Sequence, residues 1–393
     1  MTTHLKSMRP QPFSVKWSQV DVDDVLEQVR SYPRPVTAES ADGWEQGCDP
    51  AYMRALRDHW VARYDWRAVV EELNRFPQFT AQVEDMQVHF VHVVGEAGGN
   101  GPLLLSYGLP GSHHEFWKLI EPLASPTRYG GRVEDVIIPS LPGFGFSSKP
   151  SKPIGPRATA RLFNAPMTGI LGYDRYLAQG GDWGGWVTSW LGHDYPERVR
   201  AIHLNMVIFQ PAGGPADDEE RAWPKRQIHP CEEYAAYFRI QMMRPQSIAW
   251  LAAGNPVGQA AWIAERFHDW SDLTDRAMDD VPPKYALMTN IMLYAMTDSL
   301  ATVARFYRGF RDEGVFALAD GDRCETPTFV INFPRDALYN VPSRSYCDRT
   351  YNIFRWWVME RGGHFAALEQ PDILLDDIRS FAREADSMKA SLL

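Results

Sequence analysis

Gly180-Gly181-Asp182-Trp183-Gly184 puts a carboxylate between small residues at a spacing that fits a sharp strand-to-helix turn. In such a turn the middle residue is held at the tip of a strained elbow, and its neighbours two before and two after must be small because strand and helix approach closely. The stretch 173–179 leading into it reads as a strand, and 186–191 beyond it continues as a helix. Aspartate at the tip cannot form an acyl-enzyme as serine does. It can displace a leaving group from an electrophilic sp3 carbon and become an ester. A five-residue match alone is equally satisfied by a surface turn with a solvated aspartate.

Downstream residues supply the rest of a catalytic set in the chain order nucleophile, acid, histidine. Arg361-Gly362-Gly363-His364-Phe365 follows an apolar run, 353–359, expected to be the last strand. Of eleven histidines, His364 is the candidate base. His89 and His92 sit in an alternating, strand-like stretch, and His113 and His114 follow a turn. Thr328-Phe329-Val330-Ile331-Asn332-Phe333 is expected to be the penultimate strand, and Asp336 falls just past its end. There a carboxylate can hold the second ring nitrogen of a histidine and fix its tautomer. Glu360, four residues before His364, is the rival acid, expected to point away or into solvent. An earlier apolar strand, Leu103-Leu104-Leu105-Ser106, ends in Tyr107-Gly108-Leu109-Pro110-Gly111. The backbone N–H groups of Leu109 and Trp183 are the candidate oxyanion donors; a plain turn is the bland alternative for this stretch.

With these motifs in place, the sequence resembles the epoxide hydrolases of the microsomal and juvenile-hormone type, within the α/β-hydrolase fold. The resemblance extends over nearly the whole chain. It includes Tyr64-Asp65-Trp66-Arg67, Leu73-Asn74-Arg75-Phe76-Pro77-Gln78-Phe79, Pro139-Ser140-Leu141-Pro142-Gly143-Phe144-Gly145-Phe146-Ser147 and Asn255-Pro256-Val257-Gly258. It implies Asp182 as nucleophile, Asp336 as acid and His364 as base. It also implies two lid tyrosines, Tyr237 and Tyr307, as donors to the epoxide oxygen; Tyr234 and Tyr294 are nearby decoys. The implied activity is that of an ether-bond hydrolase turning lipophilic epoxides and water into vicinal diols, with no metal or organic cofactor. One departure is visible: the family's turn is His-Gly-x-Pro, and Tyr107 replaces the histidine. A haloalkane dehalogenase also uses an elbow aspartate followed by tryptophan, but usually takes an asparagine where Leu109 stands. It also lacks the long N-terminal segment and the paired lid tyrosines. A non-catalytic ligand-binding relative is the other alternative.

Composition agrees with a soluble globular protein. The chain has 393 residues, 45% apolar and 23% charged, enough for a large core in an α/β fold with an insertion. A net charge of -10 argues against nucleic acid or an anionic membrane as partner. Cys48, Cys231, Cys324 and Cys347 are scattered without metal-ligand spacing, as expected of reduced thiols in the cytoplasm. Residues 1–16 are polar, so neither signal peptide nor membrane anchor is expected. A homodimer is compatible with the sequence. The expected organisation is an N-terminal meander (1–100), a first core part (101–208), a helical lid (209–310) and a second core part (311–393). The sheet should be mostly parallel and flanked by helices. Trp250, Trp262, Trp270, Met242, Met243 and Met292 are expected either to line a lipophilic pocket or to form lid core.

Overall fold

A nine-stranded sheet organises the chain, and its strands are mostly parallel. The computed structural model describes residues 9–33, 35, 43–96, 101–132, 134–221, 236–314, 316–339 and 341–390. Cys231 and Tyr234 lie outside these residues. In chain order the strands are β1 (Gln11–Phe13), β2 (Gln78–Val83), β3 (Met86–Val93), β4 (Pro102–Ser106), β5 (Asp135–Pro139), β6 (Tyr176–Gly180), β7 (Val199–Leu204), β8 (Gln210–Pro211), β9 (Ala317–Leu318), β10 (Cys324–Asn332) and β11 (Tyr351–Val358). The large sheet runs β1-β2-β3-β5-β4-β6-β7-β10-β11, while β8 and β9 pair separately. Pairing is antiparallel from β1 to β5 and parallel from there to β11. Central β4 and β6 are buried at every residue, which is why their apolar residues run consecutively, as at 103–105 and 176–178, and do not alternate with polar ones.

The N-terminal part does more than wrap the molecule. Three helices, α1 (Gln19–Ser31), α2 (Pro50–Arg63) and α3 (Trp66–Leu73), are each started by a side-chain cap: Ser18 on the Asp21 N–H, Asp49 on Ala51, and Asp65 on Arg67 and Ala68. Such caps satisfy backbone donors that have no partner within the helix. β2 and β3 then form a hairpin that extends the sheet. Only β3 is legible as a strand in the sequence. The turn between them takes Glu84 to φ 54°, a conformation usually signalled by glycine or asparagine. β4 precedes helix α4 (Trp117–Ala124), β6 is preceded by α5 (Pro156–Ala165), and α6 (Trp183–Asp194) continues directly from the elbow.

Between β8 and β9 lies a helical insertion: α7 (Ala236–Met243), α8 (Pro245–Ala252), α9 (Pro256–Trp270), α10 (Lys284–Thr297) and α11 (Leu300–Glu313). The β8–β9 pair clasps its two ends. The motif Asn255-Pro256-Val257-Gly258 is the start of α9: the Asn255 side chain accepts from the Gly258 N–H, and proline fits the first helical position. α1 packs against α9 and α10, so the N-terminal segment joins the insertion as well as the sheet. After β11 come α12 (Ala366–Glu369) and α13 (Pro371–Ala390), the latter packed on α4 across the sheet from α5 and α6. Among the described residues no helix is long and apolar enough to cross a membrane.

Candidate active site

The chain moves from β4 to β5 on one side and then returns to β6 on the other, so the turns after β4 and β6 diverge and leave a crevice at the strand ends. Ligand sites of parallel α/β sheets sit at such a switch point. Here the first turn is Tyr107–Gly111 and the second is the elbow.

Asp182 adopts φ 50°, ψ −133° at the tip, a conformation that side-chain-bearing residues rarely hold unless the surroundings impose it. A Cβ on Gly180 would collide with the Gly184 carbonyl, and one on Gly184 with the Ser106 carbonyl. The glycine spacing is therefore a packing requirement of strand, turn and helix. Gly108 is equally constrained, because a Cβ there would overlap the Asp182 carboxylate. The turn after β4 thus lies directly against the elbow. Neither the Leu109 nor the Trp183 N–H donates a hydrogen bond within the described residues.

Asp336 follows β10 and His364 follows β11, which brings both to the same edge as Asp182. His364 Nδ1 lies 2.8 Å from Asp336 Oδ2, and its Nε2 lies 3.3 Å from Asp182 Oδ2. The three side chains are 4%, 1% and 6% exposed for Asp336, His364 and Asp182, so water barely screens their interaction. The other Asp336 oxygen accepts the Leu338 and Tyr339 N–H groups, each at 3.0 Å. The other Asp182 oxygen has no hydrogen-bond partner among the described residues. One carboxylate is thus tied down on both oxygens and the other is left with a free one. Burial alone would lower the pKa of the His364 imidazolium, but the Asp336 and Asp182 carboxylates outweigh it and raise it to about 10. Glu360 is exposed, which leaves Asp336 as the partner of the imidazole.

Tyr237 on α7 and Tyr307 on α11 are buried, with ring centroids 5.9 Å apart. The Tyr307 ring meets the Trp183 indole edge-on at 4.7 Å. Its hydroxyl makes no hydrogen bond of ordinary geometry within the described residues, yet it feels both the Tyr237 hydroxyl and the Asp182 charge. Burial first, and then those neighbours, push its pKa well above the usual phenol value. Burial and Asp182 push Tyr237 the same way. Tyr294 is occupied elsewhere: its hydroxyl donates to the Gly111 carbonyl at 2.8 Å and supports the turn after β4. His89 bonds Gln78 and Ser140 in the interior, and burial lowers its pKa to about 3. A cleft of about 820 Å³ opens beside Tyr237 and Trp270, with Trp44, Glu265, Arg266 and His268 on its walls. Of the residues raised as a lipophilic lining, Trp270 borders this cleft. Trp250 is 79% exposed and Met243 42%, so these two face solvent and neither line a pocket nor form core.

The histidine loop is held by groups that sequence reasoning missed. Glu369 accepts the Gly363, Phe365 and Asp272 N–H groups. Burial raises its pKa to about 7, against those three donors, which lower it. Asp272 accepts the Gly362 N–H, and the Trp270 carbonyl accepts the His364 N–H, both at 2.9 Å. A carboxylate in the short apolar run Ala366-Ala367-Leu368-Glu369 was the available signal for Glu369. Nothing local marks Asp272, which lies in the loop between α9 and α10, 90 residues before the glycine it accepts from.

Residues 10–116 match the family model described as the epoxide hydrolase N terminus, and 101–233 match that of the alpha/beta hydrolase fold. The chain is 36% identical over 381 residues to a Stigmatella aurantiaca (strain DW4/3-1) protein named as an epoxide hydrolase, covering 95% of this chain and 84% of that one. It is 30% identical to epoxide hydrolase 1 of Sus scrofa, covering 94% and 88%. Among solved structures, the epoxide hydrolase of Aspergillus niger superposes with a TM-score of 0.84 at 29% identity, covering 96% of this chain and 97% of that one. The juvenile hormone epoxide hydrolase of the silkworm Bombyx mori shares the fold, with a TM-score of 0.86 at 24% identity and coverage of 98% and 96%. The elbow, the sheet and these relatives together make this chain a member of the epoxide hydrolase family of the α/β-hydrolase fold.

Proposed function

We propose that the enzyme opens lipophilic epoxides by attack of Asp182 on carbon and hydrolyses the resulting ester with water activated by His364. The observation that carries this reading is the unequal treatment of the two carboxylates beside His364. Asp336, bonded on both oxygens, suits an orienting acid, and Asp182, strained and with one oxygen free, suits a nucleophile.

In the first step an Asp182 oxygen displaces the ring oxygen, which leaves as an alkoxide. Alkoxides are poor leaving groups unless a proton is supplied. Tyr237 and Tyr307, kept neutral by burial, donate to it, a contribution of roughly 10²–10⁴ for a placed general acid. Esterification removes the Asp182 charge that helped to raise the His364 pKa. The imidazolium then gives up its proton, which makes good the one taken from the phenols. His364 is left neutral just when a base is needed.

In the second step His364 takes a proton from water, which attacks the acyl carbon of the ester. The Leu109 and Trp183 N–H groups stabilise the oxyanion, a term of about 3 kcal/mol per donor. Collapse releases the diol and returns Asp182 as carboxylate, with the oxygen of the water now part of it. Of the two water protons, one leaves on the diol and one returns to His364, so the cycle closes. In this reading 209–310 act as the lid, with 1–100 as the meander and 101–208 and 311–393 as the two core parts.

A single turnover in H₂¹⁸O with enzyme in excess tests the reading. The expected diol is unlabelled and the peptide containing Asp182 is heavier; later turnovers label the diol. Labelled diol in the first turnover would mean direct hydration and would overturn the proposal.

A further inference from the structure

Tyr107, the one departure from the family's turn, connects the two halves of the site. It follows β4 directly and is buried. Its ring meets Phe116 and His364 edge-on, with centroids at 6.2 and 5.8 Å, and leans on Phe365 at 6.3 Å. A Cβ on Gly111 would come within 2.7 Å of the Tyr107 ring, so the oxyanion turn is folded tightly around this side chain. The hydroxyl donates to the His364 carbonyl at 2.9 Å, across 257 residues of sequence.

That bond differs in origin from the other tethers of the histidine loop. Trp270 and Asp272 hold the loop from the insertion, and Glu369 holds it from the following helix. Tyr107 holds it from the oxyanion turn. Fixing both the N–H and the carbonyl of residue 364 sets the backbone from which the imidazole projects. A small rotation there would move Nδ1 off Asp336 or swing Nε2 away from the acyl carbon of an ester on Asp182.

We infer that Tyr107 is a positioning residue that ties the oxyanion turn to the His364 loop, and that it governs ester hydrolysis and not ring opening. The division follows from the partners: the turn and the base both act on the ester, whereas Asp182 and the tyrosines open the ring. The inference rests on the covalent reading above. The phenol is also kept neutral by its surroundings, since burial above all pushes its pKa well above the usual value; it serves as a permanent donor.

Tyr107→Phe removes the hydroxyl and keeps the ring. With styrene oxide as probe, stopped-flow tryptophan fluorescence reads the two half-reactions, and mass spectrometry of quenched samples reads the ester. The expected variant forms the ester within about threefold of the parent rate and hydrolyses it roughly tenfold more slowly, the scale of one lost buried hydrogen bond. The ester should then accumulate in the steady state. A purely structural hydroxyl would lower the melting temperature without changing the ratio of the two rates. Hydrolysis at the parent rate, or equal slowing of both steps, would overturn the inference alone. A parent enzyme that never carries a substrate-sized mass on Asp182 would overturn the covalent reading and this inference with it.

Discussion

The sheet and the helical insertion hold their polar groups in opposite ways. At the strand ends, Asp182, His364 and Asp336 form a charged chain with contacts of 3.3 and 2.8 Å, braced by backbone donors. Above them, Tyr237 and Tyr307 sit in an aromatic shell with Trp183, Phe238, Phe306 and Trp270. The charges of the sheet side are paired, and the two carboxylates raise the pKa of the His364 imidazolium between them. The phenols of the insertion are surrounded by rings, and burial keeps them protonated. The proposed chemistry, with a nucleophile and a base below and a proton donor above, would be served by this difference in environment more than by residue type.

The largest expected effect separates the two sides most sharply. His364→Gln leaves Asp182 able to attack and removes the base that frees it. Turnover should fall on the order of 10⁴ or more, while incubation with styrene oxide gives a stable adduct of one substrate mass on the peptide containing Asp182. A folded variant that neither turns over nor becomes alkylated would show that His364 serves both steps and would erase the distinction.

The tyrosines should give a smaller and opposite pattern. Tyr307→Phe with Tyr237→Phe should slow ester formation by roughly 10²–10⁴, with no accumulation of adduct, and each single change should cost less because one phenol remains. Pre-steady-state rates of ester formation check this. If the double variant opened styrene oxide at nearly the parent rate, the aromatic shell would be packing and nothing more.

The same contrast explains what was legible in the sequence. Asp182, Asp336 and His364 each follow a strand, and their settings are local: glycines at a spacing dictated by close approach, or an apolar run ended by a turn. The tyrosines carry no such mark. Sixteen tyrosines are present, and which hydroxyl faces the elbow depends on how the helices of the insertion pack; only resemblance singled out Tyr237 and Tyr307. The braces were the least legible, because Asp272 reaches Glu369 across 97 residues and Tyr107 reaches His364 across 257. The hairpin of β2 and β3 was half-read for a simpler reason: its turn places glutamate, and not glycine, at φ 54°.

Glu115 gives the smallest expected effect and tests whether every acid beside the base belongs to the charged chain. It is buried, and neither carboxylate oxygen has a hydrogen-bond partner among the described residues. Burial raises its pKa well above the usual 4.5; the His364 charge opposes this, while Glu369 and Asp182 reinforce it. In the folded chain it therefore behaves like the phenols, as a protonated group in a dry place. When the chain unfolds above about pH 4.5, the carboxyl ionises and releases its proton. Its contribution to stability is thus complete below that pH and is lost as pH rises toward the folded value. Glu115→Gln keeps the shape and cannot ionise in either state. Its melting temperature relative to the parent should be higher at pH 8 than at pH 5, a difference of about a few degrees or less. A variant that loses more stability at pH 8 than at pH 5 would mean that Glu115 is ionised in the fold. The charged side of the site would then extend beneath the oxyanion turn, and the boundary between paired charges and buried neutral donors would have to be redrawn.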